Sequence, residues 1–210
     1  MVATQQPLST KQQIIRAARH VLKRDGVAAL SIRAVAAAAG VNLALIHYHF
    51  HSRDGLLLAV LEDLNAELLA RQRSMYARPN VSLAENWRQA VAYYRDDLES
   101  GYVRILLELA AHGYSNPAMA ERVRAAVRGW QDLLHEVSTN LLARLGTDLI
   151  GADELTSIVV SFWFGMELRH LLGVSEAEGH LWRTLDVIGR LIERLERAYS
   201  TAGEARGGDN

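Results

Sequence analysis

Histidines carry the first chemical signal in this chain. Residues 47–51 read "HYHFH", three imidazoles at alternate positions with Tyr48 and Phe50 between them. On a β-strand, side chains two apart share a face, and three neutral imidazoles on one face are a metal-ligand set. On a helix, residues two apart point about 200° away from each other, so His49 would turn away from His47 and His51. A second metal-like pattern is "ELRH" at 167–170, where Glu167 and His170 have the Glu-x-x-His spacing of di-metal helical bundles. Its would-be partner, Glu108 and His112 in "ELAAH", is spaced by four, and the additional bridging carboxylates are not evident. Cysteine is absent, which excludes disulfides, thiolate zinc sites and thiol redox chemistry.

Which chemistry is open depends on the elements that carry these side chains. Prolines number three in 210 residues, and apolar positions recur at three and four, the pattern of amphipathic helices. The first helix is expected over about 9–24, with Thr10 and Gln13 spaced as a capping box and Gly26 ending it. A short helix follows from Ser31 to Gly40, then Asn42 caps a third at about 43–49 and Ser52 a longer fourth. Beyond "ARPN" at 77–80, a Ser82/Glu85 box opens a fifth helix, and a shorter segment ends near Gly113. Asn116-Pro117 starts a long helix, and two more are expected at about 153–172 and 176–199, the second opened by a Ser175/Glu178 box. The fold class is therefore all-α, with about nine helices. Residues 1–54 form a three-helix amino-terminal domain, 55–200 a larger helical domain, and 201–210 a polar flexible tail.

The histidines accordingly sit on a helix and do not converge, so no metal site, cofactor or catalytic residue is assigned. An alanine-rich helix, "AVAAAAGVN", a glycine, two residues and a capped helix have helix-turn-helix spacing. In that motif the second helix enters the major groove, and its first residues here are Leu43, Ala44, Leu45 and His47, with Tyr48 nearby. Val35, Ala38, Val41, Ile46 and Phe50 are expected as the buried seam. Charge agrees: residues 1–54 hold seven Lys/Arg against two Asp, net +5, while the whole chain is at −1. A basic amino-terminal unit fits a polyanion. No run of eighteen apolar residues spans a membrane, and the start lacks a secretion signal, so a cytoplasmic protein is expected.

The segment "LSIRAVAAAAGVNLALIHYHFHSRDGLL" at 30–57 resembles the DNA-binding domain of the TetR family of transcriptional regulators. Gly40, Val41, His49, Phe50, Ser52, Arg53, Asp54, Leu56 and Leu57 match the family's pattern. Asn42 stands where the family has Ser, Ala44 where it often has Gly, and His47 where it often has a phosphate-contacting Tyr. The resemblance implies that Ser31, His47, Tyr48, His49 and Arg53 position the DNA backbone and that Arg33 reaches guanine. Leu43, Ala44 and Leu45 have no hydrogen bond to offer a base and are expected on thymine methyls.

The same resemblance implies a homodimer on a palindromic, double-stranded operator. Its two carboxy-terminal helices pair across the dimer axis, centred on Ser161, Gly165, Leu168, Leu172 and Leu185. It also implies an effector cavity lined by Trp87, Tyr94, Leu106, Trp130, Phe162 and Met166. Glu108, His112, Glu167 and His170 are its candidate polar contacts, for a small apolar or aromatic effector. The function expected is a ligand-responsive repressor released from its operator. Two rivals are a helical-bundle metalloenzyme using the Glu/His pairs and a helical interaction protein that has lost DNA binding.

Overall fold

The computed structural model describes residues 8–174 and 179–207, with 199–207 as backbone only. Nine α-helices are formed among the described residues: α1 (Thr10–Asp25), α2 (Ile32–Ala39), α3 (Leu43–Phe50), α4 (Arg53–Tyr76), α5 (Leu83–Ser100), α6 (Tyr102–Gly113), α7 (Pro117–Leu145), α8 (Ala152–Leu171) and α9 (His180–Gly207). A 3-10 turn, Val27–Ala29, joins α1 to α2.

Local chemistry sets most of the helix starts. The side chains of Ser31, Asn42, Ser52, Ser82 and Asn116 each accept from the backbone N–H three residues on, at 2.9–3.2 Å. Each satisfies one of the donors a helix start leaves without an intrahelical partner. The first box lies one residue earlier than expected: Ser9 accepts from the Gln12 N–H at 3.3 Å, and Gln12 Oε1 accepts from the Ser9 N–H at 3.0 Å. The expected Ser175/Glu178 box lies outside the described residues, and α9 begins at His180. α9 continues through 207, so the expected tail at 201–210 starts as helix, and 208–210 lie outside the described residues.

The chain forms two compact units. The first holds residues through Glu67 together with Asp96–Ala126; the second holds Leu68–Arg95 and the chain from Val127 onwards. In the first, Ile14, Ala18, Val21 and Leu22 of α1 are buried with Val35, Ile46, Leu56, Leu57, Val60 and Leu61. α6 adds Val103, Ile105, Leu106 and Leu109 to buried positions of the same unit. Arg19 links α1 to α4 through Asp63 at 2.8 Å and Glu67 at 2.6 Å. Its bond to Glu67, and then that to Asp63, raises the guanidinium above an arginine's ordinary value despite partial burial.

The second unit is built around aromatic rings. Trp163 stands 5.8 Å from Trp87 and 4.9 Å from Tyr94, and Tyr94 is 6.2 Å from Trp182. The Trp87 indole donates to the Leu185 carbonyl at 2.9 Å, satisfying its half-buried donor.

Candidate functional site

The buried seam of the first unit fixes an exposed face. On α3, Ile46 is fully buried and Phe50 is 5% exposed, which turns the intervening residues outward. Gly40 terminates α2 in the left-handed region, at φ 66°, where a side chain would cost about 1 kcal/mol. Asn42 then caps α3 through the Leu45 N–H at 2.9 Å. The two helices are thereby held by a seam of Val35, Ala36, Ile46 and Phe50. Ala36 occupies the seam; Ala38, expected there, is exposed, because an eight-residue helix presents only one narrow face inward.

On the outward face stand the side chains of Leu43, Ala44, Leu45, His47 and Tyr48, with Tyr48 75% exposed. Ser31 and Arg33 on α2 are exposed too, and His49 is half-buried. His47 Nδ1 lies 3.2 Å from the His51 carbonyl, which orients the ring on the surface. His47 and His51 thus meet through a backbone carbonyl. Among the described residues no three His, Asp or Glu side chains gather as a metal-holding group. The face has the composition of a groove reader: apolar and small side chains at the helix tip, flanked by hydroxyl, imidazole and guanidinium donors.

Arg53, expected on phosphate, is turned inward. Its Nε donates to the Leu30 carbonyl and its Nη2 to the Val27 carbonyl, both at 2.9 Å. Its Nη1 pairs with Glu108 of α6 at 2.9 Å. Next to it, Asp54 lies 3.3 Å from His112 Nδ1. The start of α4 is therefore clamped between the α1–α2 connection and α6. The physical reason is reach: a long guanidinium with five donors can satisfy two loop carbonyls and a carboxylate at once. Gly55 belongs to the same clamp, since a Cβ there would clash with the Phe50 carbonyl oxygen. Nothing in the local sequence marks that close approach.

Glu108 and His112, expected beside a ligand, are thereby assigned to this clamp in the first unit. Leu106 is 4% exposed in the same unit. Of the remaining expected cavity residues, Trp87, Tyr94 and Phe162 belong to the aromatic cluster around Trp163. Trp130 donates to Gln72 Oε1 at 3.1 Å and meets Phe164 edge-on. Met166 is buried, while Glu167 and His170 are half-buried.

The second unit contains a cavity of about 680 Å³. It is bounded by Arg73 and Tyr76 of α4, Trp87 of α5, Leu141 and Arg144 of α7, Leu155, Val159 and Trp163 of α8, and Ile192 of α9. Among the expected ligand residues, Trp87 lines it. The other lining residues come from five helices distant in sequence, and periodicity along any one helix does not say which of its apolar residues border a shared space.

α8 and α9 each carry a second apolar face that the unit does not cover. Ser161, Gly165, Leu168 and Leu172 are exposed, Leu168 by 51% and Leu172 by 68%. Leu185, expected with them, is 1% exposed and packs inward beside Trp87. The α9 stripe has two sides, and the outward one consists of Val187, Leu191 and Leu195, exposed by 44%, 53% and 59%.

Comparison with known proteins agrees with this geometry. Residues 14–60 match the family model of bacterial regulatory proteins, tetR family. The HTH-type transcriptional regulator CymR of Pseudomonas putida is 26% identical over 167 residues, 78% of this chain and 80% of that protein. The tRNA 5-methylaminomethyl-2-thiouridine biosynthesis bifunctional protein MnmC of Caulobacter vibrioides is 31% identical over 147 residues. That match takes in 70% of this chain, which spans only 22% of that relative's length. In fold, the chain is similar to a TetR transcriptional regulator from Legionella pneumophila, with a TM-score of 0.65 at 19% identity, over 91% of this chain and 99% of the other. Among the described residues no helix is long and apolar enough to cross a membrane.

Proposed function

We propose, from the match of residues 14–60 to the model of bacterial regulatory proteins, tetR family, that the chain is a ligand-responsive, DNA-binding transcriptional regulator of that family. It acts as a homodimeric repressor on a palindromic operator. The observation that carries this reading is the outward face of α3: Leu43, Leu45, His47 and Tyr48 exposed together on a helix whose Ile46 and Phe50 are buried. A solvent-facing row of two leucines and a tyrosine has no use in the monomer and suits thymine methyls and phosphates in a major groove.

Pairing follows from affinity and from surface. One recognition helix makes too few contacts for regulation, and two placed in successive major grooves must stand about 34–36 Å apart. The uncovered faces of α8 and α9, with Leu168, Leu172, Leu191 and Leu195, supply the self-complementary surface that a two-fold dimer needs. Residues 1–54 form the reading head and 55–200 the dimer and effector part, although by packing α6 belongs with the head. A regulator that binds the genome works in the cytoplasm, and that location is part of the reading.

Regulation passes through the clamp at the start of α4. Glu108 of α6 holds Arg53, and Arg53 holds the α1–α2 connection, so any displacement of α6 or α4 is felt by the reading head. An effector preferring one clamp position over another shifts operator affinity; a coupling of about 1–3 kcal/mol corresponds to about 5–150-fold. No enzymatic activity is proposed. The Caulobacter relative carries an enzyme's name, but this chain spans 22% of its length.

The test is a gel shift with duplex DNA flanking the protein's own gene, using the wild type and an Arg33→Ala/Tyr48→Ala variant. Specific binding that the double variant loses supports the proposal. Binding that survives both substitutions, or no binding to any flanking duplex by the wild type, refutes it.

A further inference from the structure

The cavity of the second unit has a charge character that the regulatory reading leaves unassigned. Its lining is largely apolar, with Trp87, Leu155, Val159 and Trp163, and it also includes Arg73 and Arg144, both exposed to solvent. These two cations stand in the last turns of α4 and α7. Helix carbonyl ends favour cations there, which accounts for the sign of each but not for both bordering one cavity. Neither is paired with a carboxylate of the described residues. Among the described lining residues the one carboxylate, Glu136, precedes Arg144 by two helical turns, about 12 Å along the axis. The described lining therefore sets two cations against one carboxylate around an apolar space. At about 680 Å³ the space falls in the range of small-molecule sites, roughly 300–1,000 Å³.

We propose that this cavity takes an apolar monocarboxylate, its anionic head held by Arg73 and Arg144 and its body lying against Trp87, Trp163, Leu155 and Val159. The proposal rests on the effector reading above and narrows it to a charged class of ligand. Guanidinium groups bind carboxylates through parallel hydrogen bonds, and a neutral or cationic ligand would gain nothing from them. Tyr76, also in the lining, adds an O–H donor: burial pushes its phenol above the ordinary value, so it stays neutral beside an anion.

The experiment is tryptophan-fluorescence titration of the full chain with naphthalene-2-carboxylate, decanoate and neutral naphthalene-2-carboxamide. The wild type is expected to bind the carboxylates saturably and naphthalene-2-carboxylate about tenfold or more tighter than its amide. Arg73→Gln and Arg144→Gln should each weaken carboxylate binding about tenfold and leave the amide unchanged, since a charge-assisted hydrogen bond is lost. Val159→Trp, which sets an indole into the cavity where the ligand body would lie, should weaken binding of both, with an unchanged melting temperature showing that the fold persists. No saturable carboxylate binding up to millimolar concentration, equal affinity for acid and amide, or arginine variants with wild-type affinity would each overturn the proposal. A gel shift with and without naphthalene-2-carboxylate separates the two readings. Carboxylate binding without a change in DNA affinity upholds the site and removes its regulatory role.

Discussion

Replacing Arg53 by alanine separates two roles that the same residue type can fill at the start of α4. In the structure the guanidinium donates to the Val27 and Leu30 carbonyls and to Glu108, each at 2.9 Å. Arg53 and Glu108 side chains are 34% and 33% exposed, so the ion pair is only partly shielded and contributes about 1 kcal/mol. The two carbonyl bonds contribute about 1 kcal/mol each. Arg53→Ala should therefore cost about 3 kcal/mol, and Glu108→Ala about 1 kcal/mol. For a chain of this length the melting temperature falls by roughly 2–4 °C for each kcal/mol, hence about 6–12 °C and 2–4 °C. The assay pairs thermal melts of both single variants and the double variant with duplex binding across a salt series. An arginine that neutralises a phosphate adds about 0.9 to the log–log salt slope. If Arg53 is a clamp, the variant binds DNA more weakly because its head is loosened, yet its slope matches the wild type. A variant with an unchanged melting temperature and a slope reduced by about 0.9 per head would refute the clamp.

Three further outcomes follow from the same structure. Leu168→Glu with Leu191→Glu places charge on the uncovered faces of α8 and α9, now about half exposed, and should yield a folded monomer by sedimentation without DNA binding; a persistent dimer would move the interface elsewhere. Asn42→Ala removes the cap on the Leu45 N–H at 2.9 Å and should cost about 1 kcal/mol in thermal melts, with DNA binding weakened because the recognition helix frays. Burial raises the Tyr76 phenol above its ordinary 10.0, so as pH climbs past that value the unfolded chain ionises first and stability declines towards the folded value. Melts of Tyr76→Phe across that alkaline window should show a shallower decline than the wild type.

Most of the fold was legible because its signals are local. Ser31, Asn42, Ser52, Ser82 and Asn116 each cap the helix that follows, and that requires knowledge of only four residues. The exception shows how narrow such signals are. "STKQQ" contains two overlapping frames, Ser9 with Gln12 and Thr10 with Gln13, and both satisfy the box pattern. The structure uses the first, where Leu8 also receives a bond at its carbonyl from the Gln13 side chain at 2.9 Å. The exposed face of α3 follows for a related reason: once Ile46 and Phe50 face inward, helical geometry turns Ala44, Leu45 and Tyr48 outward, while Leu43 is exposed as the first residue of the helix.

What escaped the sequence depends on distant partners. Arg53 meets neighbours 23, 26 and 55 residues away, and no local pattern distinguishes an arginine reaching inward from one reaching towards a phosphate. Internal pairing also changes the electrostatics of the head. Arg19, Arg24 and Arg53 are each bound to a carboxylate, so the net charge of residues 1–54 overstates the cations free to meet DNA. Among the described residues Lys11, Arg16, Lys23 and Arg33 show no such pair, and of these Arg33 lies on α2, the helix that precedes α3. Non-specific affinity should then depend on few cations, and discrimination should rest on the shape of the α3 tip more than on bulk charge. Leu185 and the cavity carry the same lesson for packing. Periodicity shows that α9 has an apolar stripe, but a stripe wide enough for two neighbours does not say which leucine each one takes. Arg73 and Arg144 read as ordinary cations at helix ends until folding brings both to the lining of one apolar space, and there their shared position acquires a chemical meaning that neither has alone.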